Sequence, residues 1–201
     1  MEPRALLDAL HIAERLKDTP RHCYTSGGRR ESVAEHSWRI TLMAYLVKDE
    51  FPEADMDKVI RMCIIHDLGE CFTGDIPSFR KTQADEDTEE RLLYQWVDSL
   101  PEPYRTELRA LYNEMAERKT LEAKIYKAMD GLEAVIQHNE SDIRTWEDHE
   151  YDLNLNYAWD KVEFSLYLTA LRQAIREDTE AKIEAAKQSK GVVSKRLNKP
   201  N

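Results

Sequence analysis

The chain has 201 residues, 41% of them apolar and 34% charged, with a formal net charge of −10. That length suits one domain with a core of its own, and the acidic balance argues against nucleic-acid binding, which needs a broad basic surface. A small phosphate ligand stays open, because it needs only one local cation or metal. Six glycines, seven prolines and almost no Val/Ile/Thr alternation predict an all-α protein. Cys23, Cys63 and Cys71 form no CxxC pair, and no basic-then-apolar leader or membrane-length apolar run is present. The expectation is a cytoplasmic protein without disulfides and without a membrane partner.

Leu6, Leu7, Leu10 and the run from Ala13 to Leu16 give a first amphipathic helix, with Pro3 placed for its first turn. His11 lies among polar neighbours and reads as surface. Residues 19–30 combine a proline, a glycine pair and Arg21, Arg29 and Arg30 without helical period, which predicts a loop. That loop is either a solvated connector or a binding segment in which Arg21 offers a fork of donors to a phosphate.

Ser32 with Glu35 three residues on forms a capping-box pattern that opens a second helix. Val33, Ile40, Met43, Ala44 and Val47 share one stripe of it, and His36 sits on that stripe. A lone imidazole there is ordinarily a satisfied core residue and becomes a ligand only if other ligands converge on it. A third helix, capped by Asp55 or Asp57, carries Val59, Met62 and Cys63 at i, i+3, i+4, and His66 and Asp67 continue the series. An imidazole and a carboxylate pointed at the core are costly without compensation, and a metal ion compensates both at once. Glu70 would share their face if that helix runs one turn further. Thr73-Gly74-Asp75-Ile76-Pro77-Ser78 is turn-rich, and Asp75 beside glycine is by itself ordinary turn chemistry.

The acidic run 84–90 opens a long helix through Trp96 and Val97, where negative charge favours the dipole. Leu100-Pro101-Glu102-Pro103 breaks it, and Tyr104 to Arg118 form another. Thr120 is positioned to cap a helix from Leu121 to about Gln137, with Ile125, Met129, Leu132 and Ile136 as its core stripe. Asp130 falls off that stripe, where periodicity makes it half of an ion pair with Lys127. Residues 139–156 read as a covering loop or short irregular helix, and a last helix is predicted from Tyr157 to about Ala186. One domain over 1–187, with its centre at about 31–140, is followed by a basic, disordered tail at 188–201.

Three blocks in order, Glu-Ser-Val-Ala-Glu-His-Ser, His-Asp-Leu-Gly-Glu-Cys-Phe-Thr-Gly-Asp-Ile-Pro and Lys-Ala-Met-Asp, resemble the H…HD…D pattern of the HD-domain metal-dependent phosphohydrolases. Their wording is similar to the 5′-deoxynucleotidase branch, and the resemblance covers about residues 5–140. It implies an HD-domain helical bundle in which His36, His66, Asp67 and Asp130 hold one divalent metal ion. Cobalt, manganese or magnesium is implied, since two imidazoles and two carboxylates suit such ions better than a thiolate-loving zinc site.

The resemblance further implies Glu70 and Asp75 as catalytic carboxylates and Arg21, His22 and Thr73 as substrate-binding residues. Its implied reaction is hydrolysis of deoxyribonucleoside or ribonucleoside 5′-monophosphates to nucleoside and phosphate. Relatives often carry Arg-Trp where this chain has Arg21-His22, which bears on how the sugar is selected. Homodimerisation is also implied, with Tyr157, Trp159, Phe164 and Tyr167 offering an interface or simply packing on the bundle. Alternatives are another phosphoester substrate or a non-catalytic metal-binding helical protein. A di-iron oxygenase is disfavoured, because residues 68–129 contain no histidine to serve as an additional ligand.

Overall fold

The computed structural model describes residues 1–77 and 79–197. Its helices are α1 (Pro3–Ala13), α2 (Val33–Leu46), α3 (Met56–Ile65), α4 (Glu70–Thr73), α5 (Gln83–Ser99), α6 (Tyr104–Glu117), α7 (Leu121–Glu140), α8 (Glu150–Asn156) and α9 (Leu166–Leu197). The caps follow from local chemistry. Ser32 Oγ accepts from Glu35 N while Glu35 returns a carboxylate to Ser32 N at 2.9 Å, completing the capping box of α2. Asp55 is the cap of α3, accepting from Lys58 N at 3.0 Å, and Thr120 caps α7. The α5 cap is Thr82, paired with Asp85 in a second capping box.

Helix α7 is the axis of the molecule. It buries residues on several faces, among them Ala123, Ile125, Met129, Leu132 and Val135, whereas a helix at the surface buries one stripe. It packs against α2, α3 and α9, and Ile40, Val59 and Met62 meet it in one continuous core. Cys23, Cys63 and Cys71 are free and buried. Among the described residues no helix is long and apolar enough to cross a membrane.

Four features differ from the sequence reading. The predicted loop at 19–30 contains an antiparallel hairpin, β1 (Pro20–Tyr24) and β2 (Arg30–Ser32), too short for alternation to signal it. Helix α3 stops at Ile65. Leu68 N, Glu70 N and Cys71 N then bond to the carbonyls three residues back, so the His66-Asp67 segment is a tightened turn and Glu70 opens its own helix. Gly69 allows α5 to lie against this turn, since a Cβ there would stand 2.8 Å from Glu89 Cγ. The covering segment contains α8, a short helix as expected there, but the last helix starts at Leu166 rather than Tyr157. It runs to Leu197, so residues expected in a disordered tail from 188 onward are helical that far; 198–201 lie outside the described residues.

Buried Arg172 of α9 ties these last elements together. It donates from Nη2 to Asn154 O and from Nε to Tyr157 O, both at 2.8 Å, covering the carbonyl end of α8. The following turn passes so close to α7 that a Cβ on Gly131 would meet Ala158 Cβ at 2.9 Å and Lys161 Cδ at 3.1 Å. Ala158 is buried and holds a positive φ of 67°, so it has little room to yield. Gly131→Ala should therefore destabilise the fold by about 1–3 kcal/mol, read as a lowered urea midpoint. An unchanged midpoint would show that this turn does not press on α7.

Candidate metal centre and cavity

Three elements bring four side chains to one point. His36 comes from α2, His66 and Asp67 from the turn after α3, and Asp130 from α7. The two Nε2 atoms stand 3.3 Å apart, and Asp67 Oδ2 lies 2.9 Å from that of His66 and 3.8 Å from that of His36. Asp130 Oδ1 is 3.3 Å from His36 Nε2 and 4.0 Å from His66 Nε2.

The hydrogen bonds on the far sides of the rings decide what these nitrogens present. His66 Nδ1 lies 2.9 Å from Cys63 O, which can only accept, so Nδ1 carries the hydrogen. His36 Nδ1 likewise faces Glu133 Oε2 at 2.5 Å. With His36 neutral, both Nε2 atoms direct lone pairs inward, where two carboxylate oxygens do the same. Four converging acceptors repel one another until positive charge stands among them, and two nitrogens with two oxygens fit a borderline or hard divalent cation.

Acid–base shifts report the same demand. Burial and Arg21 lower the affinity of His36 for a proton, yet bonds to Asp130 and Glu133 outweigh them and raise it to about 9. Burial works against the charge on Asp67, but His66 holds it down to about 2. Asp130 is likewise kept well below the carboxylate range: burial is overcome by Lys127, whose Nζ is 2.7 Å from Oδ2, and by His36. Asp130 is thus both the ion-pair partner that periodicity suggested and a member of the cluster.

Behind the cluster lies Glu133, which the periodicity of α7 does not single out. It is 0% exposed and takes bonds from His36 Nδ1 and, at 3.2 Å, from Arg21 Nη1. Arg21 Nη1 also donates to Glu31 Oε2 at 2.8 Å. Glu31, His36 and Glu133 form a second close group of potential ligands, but the Arg21 cation already neutralises it. The signal available in sequence was the three-residue step from Asp130, which puts Glu133 one turn along the same helix.

A cavity of about 580 Å³ opens beside the cluster and is lined by Arg21, His22, Glu70 and Asp75 as well as by Asp67 and Asp130. Glu70 is 8% exposed, and its Oε2 has no hydrogen-bond partner among the described residues. In the protein alone, burial first, then the Asp67, Asp75 and Glu89 carboxylates, push it up to about 10. Burial also raises Asp75. His22 Nε2 lies 3.1 Å from Glu150 Oε1 on the cavity wall. Thr73 stands apart: its hydroxyl turns to Gly74 O at 3.2 Å and Glu89 Oε2 at 3.4 Å, and it is not among the lining residues.

Comparison with known proteins agrees with this architecture. A family model described as HD domain matches residues 13–172. The human protein named 5′-deoxynucleotidase HDDC2 is 34% identical over 141 residues, covering 68% of each chain. A solved structure described as a predicted metal-dependent phosphohydrolase from Magnetospirillum magnetotacticum superposes with a TM-score of 0.76 at 27% identity, covering 89% of this chain and 93% of that one. A conserved hypothetical protein from Pyrococcus furiosus gives 0.68 at 31% identity, covering 85% and 99%.

Two measurements follow from the cluster. Because His36 holds a proton up to about 9, a cation binding there must displace it. Metal affinity should then rise with pH, by up to about tenfold per unit, and flatten near pH 9; a flat profile between pH 6 and 8 would refute the proton competition. Glu133→Gln weakens the acceptor that fixes the His36 ring, and should lower metal affinity by about 10- to 100-fold in a titration with a chelating indicator.

Proposed function

Since this chain belongs to the HD-domain metal-dependent phosphohydrolases, in their 5′-deoxynucleotidase branch, we infer that it hydrolyses nucleoside 5′-monophosphates to nucleoside and phosphate. The observation that carries the reading is four converging lone pairs beside a buried, unpartnered carboxyl, in a cavity of small-ligand size. His36, His66, Asp67 and Asp130 would hold a divalent ion, with cobalt, manganese or magnesium proposed. When bound, it draws negative charge from the phosphoryl group and acidifies water.

The remaining work falls to side chains. Water must lose a proton as its oxygen bonds to phosphorus, and O5′ must gain one as the P–O5′ bond breaks. Glu70 Oε2 faces both needs: buried against the metal cluster, unbonded and neutral, it can give its proton to O5′ as the P–O5′ bond breaks and, once ionised, take the proton that the attacking water loses. Asp75 acts on Glu70 through charge, keeping its proton affinity high. Arg21 orients the phosphate. Among the described residues only its Nη1 is engaged, by Glu31 and Glu133, so the rest of the guanidinium remains to meet phosphoryl oxygens. His22, on the same wall, bears on the nucleoside.

The homodimer implied by resemblance is assigned to the outer face of α2 rather than to the C-terminal aromatics. Tyr157 and Trp159 pack on the core, whereas Trp38, Leu42, Tyr45 and Leu46 form a stripe at i, i+4, i+7, i+8 with Trp38 66% exposed. A cytoplasmic setting is proposed from the three free cysteines.

The deciding assay is phosphate release from deoxyribonucleoside and ribonucleoside 5′-monophosphates with each metal or with chelator. Metal-dependent release is expected, and its absence with every metal would overturn the reading. Glu70→Gln should keep its metal and lose about 10²- to 10⁴-fold in turnover; near-normal turnover would remove Glu70 from the proton path. Leu42→Glu with Leu46→Glu should convert a dimer to a monomer in light scattering, and a monomeric parent protein would refute the α2 interface.

A further inference from the structure

Helix α8 turns one face to the cavity, and that face is chemically patterned. Glu150, Leu153 and Asn154, at i, i+3 and i+4, all line the cavity. Glu150 is 1% exposed and Asn154 is 2% exposed, and each carries a side-chain atom without a hydrogen-bond partner among the described residues. For Glu150 it is Oε1, an acceptor; for Asn154 it is Nδ2, a donor.

A purely structural role accounts for only half of this. Glu150 Oε2 accepts from Glu147 N at 2.6 Å in the turn before α8, which leaves Oε1 facing only the imidazoles of His22 and His138. His22 Nε2 and His138 Nε2 stand 3.1 and 3.5 Å from Oε1 without making a hydrogen bond to it. Asn154 contributes its backbone carbonyl to Arg172, a contact that any residue would supply and that leaves the amide unexplained. Buried polar atoms without hydrogen-bond partners destabilise a fold, so an acceptor and a donor kept in this condition on one cavity-lining helix face point to a ligand that satisfies both.

We propose that α8 reads the edge of the nucleobase, with Glu150 Oε1 accepting from a base N–H and Asn154 Nδ2 donating to a neighbouring ring nitrogen or carbonyl oxygen. Leu153 between them meets the flat apolar face that such a ligand also presents. The ligand class rests on the nucleotidase reading, but the recognition does not pass through the metal cluster. Arg172 holds α8 still while the base is read.

The test is binding of the four deoxynucleoside 5′-monophosphates and of base-free 2-deoxyribose 5-phosphate, by calorimetry with chelator present, together with hydrolysis rates with metal. Glu150→Gln keeps the bond from Glu147 N while presenting N–H groups where Oε1 stood, so it reverses polarity without changing shape. It should weaken the preferred nucleotide about tenfold or more and change the ranking of bases, leaving 2-deoxyribose 5-phosphate unaffected. Asn154→Leu should act in the same direction with an unchanged or higher Tm, because it removes an unpaired buried amide. Equal affinities in the parent and both variants, with 2-deoxyribose 5-phosphate still cleaved, would overturn the base-edge proposal and leave the phosphohydrolase intact. Altered nucleotide binding in a protein that cleaves no phosphomonoester would do the reverse.

Discussion

The buried carboxylate of Glu133 is the constraint on which this molecule turns. It is anionic in the interior, and two groups from other elements make that tolerable: the Nδ1 hydrogen of His36 on α2 and the guanidinium of Arg21 on β1. A buried charge that loses such a partner costs about 3–5 kcal/mol, so the hairpin, α2 and α7 are bound to one arrangement. That arrangement has a chemical consequence. With its far nitrogen committed as a donor, His36 turns Nε2 to the cluster, where it holds either a proton or a lone pair, and the cluster becomes a receptor for positive charge.

The same economy extends to Arg21. By bridging Glu31 and Glu133 through Nη1, it is held at the cavity wall that Glu70 also lines. Charges set in place by packing need little reorganisation when a dianion arrives. Glu70 is tuned by the opposite means. Arg21 opposes the shift only weakly, and burial together with the carboxylates around it favours the neutral form of Glu70.

The cavity's far wall depends on a different buried ion. Arg172 satisfies the carbonyls at the end of α8 from its place on α9 and lies 4.9 Å from the Trp159 ring centre. The C-terminal helix is thus not an appendage: it fixes a helix of seven residues that could not hold its shape alone.

Much of the centre was legible in the sequence, for a simple reason. His36, His66 and Asp67 lie where hydrophobic periodicity points inward, so their polarity stands out against the stripe, and capping boxes mark the helix starts. Asp130 was legible only through resemblance, because it sits off its helix's apolar stripe, beside a lysine that makes it look ordinary. Glu133, the partnering of Arg21, the hairpin, and the polar face of α8 were decided by tertiary structure alone. Their meaning lies in contacts between residues far apart in the chain, as between Arg21 and Glu133, 112 residues apart. Local spacing carries information about which face of an element is buried, but which groups meet across a core depends on how whole elements pack.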